Sequence, residues 1–283
     1  MSKFQAACVQ LCAGRDVTAN IDQAEHFIRQ AAGDGADYVQ TPEQTSIMEL
    51  SSKILFSTIV EEAEDPALKR FRALADELGI WLHVGSLAIR TGESSAANRA
   101  FVLTPDGEIA ARYDKIHMFD VDLPSGETYR ESKNYRAGTK AVTVDLPWLT
   151  LGLSVCYDLR FAYLYRTLAH AGASMLSVPA AFTKQTGEAH WNVLQRARAI
   201  ETGCFVASAA QGGHHENGRD TFGHSIIIDP WGKVLAEAGT EPGVIAAEID
   251  TALVDEARSR IPALTHDRQI TVERAGEAAK KAS

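Results

Sequence analysis

Cysteine, aromatic residues and positive charge are all scarce in this chain of 283 residues. Its four cysteines are Cys8, Cys12, Cys156 and Cys204. They lack metal-ligand spacing and are too few for a disulfide scaffold, so we expect no metal site and a reduced, cytoplasmic protein. Lysine and arginine total 28 against 37 acidic residues, which gives a net charge of -9 and disfavours nucleic acid or anionic lipid as a partner.

Long apolar runs are also missing from the sequence. No run approaches the roughly 18 residues that a membrane span requires. The first ten residues are typical of a strand and lack the pattern of a signal peptide. With 45% hydrophobic and 23% charged residues, the chain can nevertheless bury a large core. We therefore expect a globular protein without a membrane partner.

Strand and helix patterns alternate along most of the chain. Thr18 is a candidate cap for a helix that buries Ile21, Ala24, Ile28 and Ala31 and ends near Gly33. A second helix is predicted from Pro66 to Gly79 and another over residues 188–202. Predicted strands cover residues 4–9, 38–41, 80–89, 151–155, 174–178 and 203–210.

Two predicted hairpins, over residues 98–113 and 222–237, each follow a strand–helix–strand passage and turn on proline and glycine. This repetition indicates two similar halves, with two sheets packed face to face and helices outside. We predict one domain over residues 1–272. Residues 273–283 are predicted to form a tail that is frayed or lies at an oligomer interface.

Cys156 stands where a predicted strand, residues 151–155, meets a predicted helix. Asp158 is a candidate cap for that helix, whose apolar positions include Leu159, Leu164 and Leu168. A helix N-terminus favours thiolate over thiol, so the position suits a nucleophile. A buried, inert cysteine at the end of a core strand fits this window equally well.

Two further windows place charged groups where strands end. Pro42 stops a strand immediately before Glu43, and Lys115 follows the first hairpin. Taken singly, such residues are usually solvated. A cysteine nucleophile is more often served by histidine, so a Cys–His hydrolase using His117 or His190 stays open at this stage.

The windows Thr41-Pro42-Glu43, Tyr113-Asp114-Lys115-Ile116-His117 and Ser154-Val155-Cys156-Tyr157-Asp158 resemble the carbon–nitrogen hydrolase (nitrilase) superfamily, in that order. The resemblance continues through residues 186–191 and 196–201 to residues 223–232, and covers roughly residues 3 to 260. It implies an α/β fold, a four-layer α-β-β-α sandwich. It also implies a catalytic triad of Glu43, Lys115 and Cys156, with Glu131 as a second glutamate.

The chemistry suits these residue types. Glu43 is expected to take the thiol proton of Cys156, and Lys115 with the backbone N–H of Tyr157 to hold the oxyanion. An amide is then hydrolysed through a cysteine thioester to acid and ammonia, without a cofactor. The second glutamate, Glu131, assists from a loop.

We expect the substrate to contact Tyr157, Arg160, Phe182 and Thr186, of which the last two are implied by the resemblance. Arg160 lies one helical turn beyond Cys156, where it is expected to hold a carboxylate. Residues 209–216 and 219–225 look most like the deaminated glutathione amidases, with ω-amidases acting on 2-oxoglutaramate as the alternative. Another small-amide or N-carbamoyl hydrolase, or a silent binding subunit of the same fold, also stays open. The resemblance favours a homodimer or a higher homo-oligomer.

Overall fold

The structure is a computed structural model that describes residues 2–124 and 126–274. The helices in this part of the chain are α1 Val17–Gly33, α2 Ser52–Thr58, α3 Pro66–Leu78, α4 Ala162–His170, α5 Lys184–Thr202 and α6 Ala252–Arg260. The strands of the first half are β1 Lys3–Gln10, β2 Tyr38–Gln40, β3 Trp81–Gly92, β4 Ser95–Leu103, β5 Ile109–Asp114, β6 Asp120–Asp122 and β7 Thr128–Arg130. Those that follow are β8 Thr143–Asp145, β9 Thr150–Leu153, β10 Met175–Ser177, β11 Phe205–Ser208, β12 Gly212–His214, β13 Asp220–Phe222, β14 Ile226–Ile228, β15 Val234–Glu237 and β16 Gly243–Asp250.

Two 6-stranded sheets share one topology. The first has the order β16-β1-β2-β3-β4-β5 and the second, read from its other edge, β8-β9-β10-β11-β14-β15. In each, three parallel strands are followed by an antiparallel hairpin, and one further antiparallel strand closes the opposite edge. The two similar halves predicted from the sequence are therefore visible in the strand order.

Side-chain alternation along β1 shows how the layers arise. Phe4, Ala6 and Cys8 contribute to the core between the sheets, where Leu151 and Leu153 of β9 also pack. Ala7 and Val9 point the other way, into a second core with the buried faces of α1 and α3. Helices α4 and α5 cover the second sheet. The α-β-β-α sandwich is confirmed.

Local details differ from the sequence predictions at several points. Asp16, and not Thr18, caps α1, because its side chain accepts from the backbone N–H of Ala19. The predicted buried face of α1 and its end at Gly33 are confirmed, as is α3, which Gly79 ends in the left-handed conformation. Helix α2 and strand β16 were not predicted. β16 brings the C-terminal part of the chain back to pair with β1 along residues 243–250.

The predicted tail lies largely outside the described residues, since only Glu273 and Arg274 of residues 273–283 are described. One core cluster extends from Phe4 to Val254 and joins both sheets, which supports a single domain. The bounds 1–272 stay a prediction. None of the helices in the described segments combines the length and apolar character of a membrane span.

Candidate active site

Four loops at strand ends bring the predicted catalytic residues together. Glu43 follows β2 and Lys115 follows β5, so both come from the first sheet. Cys156 follows β9 of the second sheet, and Glu131 begins a 3-10 turn directly after β7. All four line one cavity of about 350 Å³, which is within the usual size range for a small-molecule site.

Gly85 permits the close approach of the two sheets at this point. A Cβ atom there would lie 2.0 Å from the Thr41 carbonyl oxygen and 2.6 Å from Cβ of Pro179. The first contact belongs to the segment that leads into Glu43. The second belongs to the segment whose Pro179 carbonyl accepts from the Cys156 N–H at 2.9 Å. A larger residue would therefore push Glu43 and Cys156 apart.

Glu43 is held by donors on both carboxylate oxygens. Oε1 accepts from Lys115 Nζ at 2.9 Å and from Asn98 Nδ2 at 2.8 Å, and Oε2 accepts from the Ala181 N–H at 2.9 Å. Burial opposes ionisation, but the charge of Lys115 and a hydrogen bond from the Cys156 thiol outweigh it. The pKa of the Glu43 carboxyl therefore lies below its ordinary value. Glu43 is a carboxylate at neutral pH.

Lys115 bridges two carboxylates inside the protein. Its Nζ lies 2.9 Å from Glu43 Oε1 and 2.8 Å from Glu131 Oε2, and its side chain is 2% exposed. Burial alone would lower the pKa of this amine. The charges of Glu131 and Glu43 more than offset that effect, so the pKa lies well above its ordinary value. Lys115 is a fixed cation.

Glu131 is positioned by backbone and side-chain donors. Its Oε2 accepts from the Phe119 N–H at 2.7 Å, and its Oε1 accepts from Asn98 Nδ2 at 3.0 Å. The side chain of Asn98, on β4, thus donates to both carboxylates. Its backbone carbonyl accepts from the backbone N–H of Lys115 at 3.0 Å. Sequence reasoning missed Asn98, because an asparagine within an apolar strand gives no local signal of such a role.

Cys156 begins a five-residue 3-10 turn, Cys156–Arg160, and has a left-handed backbone with φ of 51°. The prediction that a helix N-terminus favours its thiolate was wrong. Burial and then the negative charge of Glu43 raise the pKa of the Cys156 thiol well above its ordinary value. The resting pair is therefore a neutral thiol beside a carboxylate.

Asp158 does not cap α4, contrary to the sequence prediction. Its carboxylate accepts from the Val155 N–H at 2.9 Å, the Tyr113 hydroxyl at 2.7 Å and the His117 N–H at 3.0 Å. These bonds tie the turn that carries Cys156 to the segment that carries Lys115. Asp158 therefore fixes the position of the nucleophile, and α4 begins after Phe161 without a side-chain cap.

The predicted substrate residues divide into two groups. Tyr157, Phe182 and Thr186 line the cavity. Arg160 is not among the lining residues, and its guanidinium lies over the rings of Tyr157 and Phe182, 5.9 and 5.5 Å from their centroids. Arg219 also lines the cavity, and it was not singled out from the sequence, although it falls within the region 211–224 that resembles the deaminated glutathione amidases.

The two histidines considered as alternative bases also lie outside the cavity lining. His117 Nδ1 lies 2.6 Å from Asp158 Oδ1 and its ring stacks on Phe161, whereas His190 Nδ1 lies 3.3 Å from a guanidinium nitrogen of Arg160. Neither histidine is among the groups that shift the pKa of Cys156, whereas Glu43 and Lys115 are. The geometry favours Glu43 as the base. Across residues 2–124 and 126–274, no His, Cys, Asp or Glu cluster has an arrangement suited to a metal ion.

A four-layer α-β-β-α sandwich that buries a thiol, a carboxylate and an ammonium at one cavity is a hydrolase architecture. The model of the carbon–nitrogen hydrolase family matches residues 5–259, and the chain belongs to this family. The resemblance found in the sequence, and with it the prediction of a hydrolase acting on amides, is confirmed.

Three relatives align over almost the whole chain. A deaminated glutathione amidase of Yersinia enterocolitica is 38% identical over 275 residues, which are 96% of this chain and 95% of the relative. One of Synechocystis is 40% identical, over 94% of this chain and 98% of its own. The omega-amidase NIT2 of Homo sapiens is 36% identical, over 95% and 96% respectively.

Solved structures of the family share the fold. The NitFhit protein of C. elegans superposes with a TM-score of 0.88 at 34% identity, covering 95% of this chain and 66% of that longer one. Nit3 of Saccharomyces cerevisiae superposes with a TM-score of 0.82 at 28% identity, covering 92% and 94%.

Proposed function

We propose that this chain is an amidase that hydrolyses a small carboxylated amide through a thioester on Cys156, with deaminated glutathione as its preferred substrate. The observation that carries the proposal is the buried contact of Lys115 with both Glu43 and Glu131 beside the Cys156 thiol. This arrangement opens on a cavity of suitable size.

The first half-reaction forms the thioester. Glu43 takes the proton of the Cys156 thiol while sulfur attacks the amide carbonyl carbon, and the electron pair of the C=O bond moves to oxygen. Lys115 Nζ and the backbone N–H of Tyr157 hold this oxyanion. Tyr157 lies in the first turn of a 3-10 helix, where backbone N–H groups have no partner within the turn. The C–N bond then breaks, and Glu43 returns the proton to the departing nitrogen.

The second half-reaction releases the acid. Glu43, again a carboxylate, takes a proton from water as its oxygen attacks the thioester, and the same two donors hold the second oxyanion. The C–S bond breaks and the sulfur regains a proton from Glu43. Because the resting thiol is not ionised, Glu43 acts as the base in both halves.

Asn98 and Glu131 keep these groups in place. Lys115 needs both carboxylates to stay charged in a buried site, and Asn98 spaces those carboxylates by donating to each. We therefore assign Glu131 and Asn98 as positioning residues for Lys115 and Glu43.

The substrate class follows from the names of the relatives and from the cavity. Deaminated glutathione and 2-oxoglutaramate share an acyl part, 2-oxoglutarate, and differ in the amine that leaves. Cysteinylglycine leaves from the first and ammonia from the second, so the ammonia expected from the sequence would be released only from 2-oxoglutaramate. We propose that Tyr157, Phe182 and Thr186 contact the acyl part, and that Arg160 supplies positive charge behind the two rings.

The test compares kcat/KM for the two substrates on one preparation. Both release 2-oxoglutarate, which glutamate dehydrogenase converts to glutamate with added ammonium while NADH is oxidised and its absorbance falls. We expect deaminated glutathione to be favoured, and Cys156→Ser to give no product from either substrate. A clear preference for 2-oxoglutaramate would move the assignment to ω-amidase, the second candidate, which the relative from Homo sapiens favours.

We also propose a homodimer, supported by apolar side chains on one exposed surface. Val193 and Ile200 lie seven residues apart on α5 and are 69% and 54% exposed, and Trp231 of the adjoining turn is 57% exposed. Sedimentation should give twice the chain mass, and Val193→Glu with Ile200→Glu should halve it. Ile54→Glu, at an exposed position on α2, is the matched control and should leave the mass unchanged.

A cytoplasmic location is proposed on the chemistry of the nucleophile. Cys156 acts only as a reduced thiol, and all four cysteines are unpaired in the structure. Cell fractionation tests the location, and recovery of the protein from an oxidising compartment would contradict it.

A further inference from the structure

Arg219 forms part of the cavity wall and is held there by several contacts. It lies in the turn that precedes β13, and one of its guanidinium nitrogens donates to the Ala181 carbonyl. The guanidinium lies over the Tyr129 ring, 5.1 Å from the centroid, and Nη1 approaches Met48 Sδ at 3.9 Å. The cation is therefore fixed before any ligand arrives, which reduces the entropy cost of binding.

No described carboxylate forms an ion pair with Arg219, although other cations of the cavity have acidic partners. Lys115 is paired with Glu43 and Glu131. Arg130 is paired with Asp122. The Arg219 Nε is buried and has no hydrogen-bond partner among the described groups. A partly buried cation at a cavity wall, with no described carboxylate paired to it, is suited to a carboxylate on a ligand.

The contacts of Arg219 place it on the side of the cavity where the amine leaves. Glu43 must stand next to the departing nitrogen, because it returns the proton. Glu43 accepts from the N–H of Ala181, and Arg219 donates to the carbonyl of the same residue. Arg219 and Glu43 are therefore linked through the backbone of a single residue, Ala181.

The amine portion of deaminated glutathione carries its carboxylate away from the scissile bond. In a dipeptide amine the terminal carboxylate lies roughly 6–7 Å from the amide nitrogen, about two Cα spacings. Ammonia, which leaves from 2-oxoglutaramate, carries no carboxylate. The two candidate substrates should therefore differ in their use of this residue.

We propose that Arg219 binds the terminal carboxylate of the leaving amine, and so selects amides of carboxylate-bearing amines over primary amides. This inference rests on the proposed amidase function and adds the residue that distinguishes its two substrate branches. Arg160 lies beside the acyl pocket residues, whereas Arg219 contacts the Glu43 side, so the two arginines serve opposite ends of the substrate.

The test pairs one change in the protein with one change in the substrate. Wild type and Arg219→Gln are assayed on deaminated glutathione and on the same compound with its terminal carboxylate converted to a carboxamide. We expect wild type to favour the carboxylate by about 10- to 100-fold in kcat/KM, the range of one charge-assisted hydrogen bond. The variant should favour neither compound, and its kcat/KM for 2-oxoglutaramate should fall far less than its kcat/KM for deaminated glutathione.

Two further variants make the test specific. Arg219→Lys keeps the charge but loses the planar fork, and it should retain part of the preference. Lys133→Gln removes an exposed cation that also lines the cavity, and it should retain the full preference.

Three results would overturn the inference. The first is that Arg219→Gln keeps the wild-type preference for the carboxylate over the carboxamide. The second is that Arg219→Gln loses kcat/KM equally on all three compounds. The third is that Lys133→Gln removes the preference and Arg219→Gln does not. Failure of the amidase function itself would look different, because wild type would then hydrolyse neither deaminated glutathione nor 2-oxoglutaramate.

Discussion

Replacing Lys115 with methionine removes the cation between two buried carboxylates and keeps most of the side-chain volume. The Lys115 side chain is 2% exposed, and those of Glu43 and Glu131 are 5% and 12% exposed. Neither acid can compensate by turning to solvent. Asn98 is then the side chain that still donates to both.

The expected cost has two parts. Breaking a buried ion pair by removal of one partner lowers the free energy of unfolding by about 3–5 kcal/mol. Loss of one oxyanion donor lowers kcat by about 10²- to 10³-fold. The pKa of Glu43 should also rise towards that of a buried carboxyl beside a like charge, so less of the base is ionised at neutral pH. Together these effects predict a fall in kcat of at least about 10³-fold.

Unfolding in urea and steady-state kinetics measure the two parts separately. Lys69→Met is the matched control, because Lys69 pairs with Glu64 on the surface, where both side chains are more than half exposed. That change should alter stability by less than about 1 kcal/mol and leave kcat unchanged. Lys115→Arg keeps the charge but not the compact ammonium, and it should fail nearly as badly as methionine.

One result would refute the reasoning about Lys115. If Lys115→Met folded and kept kcat within tenfold of wild type, the oxyanion could not depend on this amine. A wild-type kcat in Lys115→Arg would also refute the oxyanion role of Lys115.

Four further predictions concern the remaining chemistry. Cys156→Ser should fold but give no turnover, since a hydroxyl is too weak an acid for Glu43, whereas Cys204→Ser should keep activity at some cost in stability; activity in Cys156→Ser would contradict the thioester. The kcat/KM profile should be level from roughly pH 6 to 9. Glu43 loses its charge only as pH falls through its lowered pKa, and Lys115 only as pH rises through its raised pKa. A kcat/KM that climbs with pH across this range would show that Cys156 must ionise first, because burial holds the pKa of its thiol above the ordinary value. Activity should survive exhaustive chelation and dialysis, and a large loss would reveal a required metal. Arg160→Ala should lower kcat/KM equally for deaminated glutathione and 2-oxoglutaramate, by roughly 10- to 100-fold, because it serves their common acyl part; unequal losses would move Arg160 to the amine end.

The sequence predicted the layers and the placement of Glu43, Lys115 and Cys156 because these depend on local patterns. Alternating apolar residues define the strands, and Pro42 and the hairpin turn define where two of the strands end. That Glu43, Lys115 and Cys156 meet was implied by the family resemblance, since β3 and β4 separate β2 from β5 and Cys156 follows a strand of the other sheet. The confirmed two-half topology follows from the local strand and hairpin patterns.

Features that depend on distant packing could not be predicted in this way. Asp158 leaves its expected cap because Tyr113 and the His117 N–H, some 40 residues away, compete for its carboxylate. The pKa of Cys156 rises because burial and the nearby Glu43 charge outweigh any effect of a single helical turn. Arg219 reaches the cavity through a loop whose partner, Met48, is 171 residues away along the chain.

The division of the catalytic groups between the two sheets makes the interior of the protein part of the catalytic apparatus. Glu43 and Lys115 belong to one sheet and Cys156 to the other, so the distance between base and nucleophile is set by how closely the two apolar faces meet. Leu153 ends the β9 strand just before Cys156 and packs in that interior. A cavity there would let the sheets shift by fractions of an ångström, so turnover should respond to core substitutions well before the fold is lost. We therefore expect the turnover rate to depend on how well the core between the two sheets is packed.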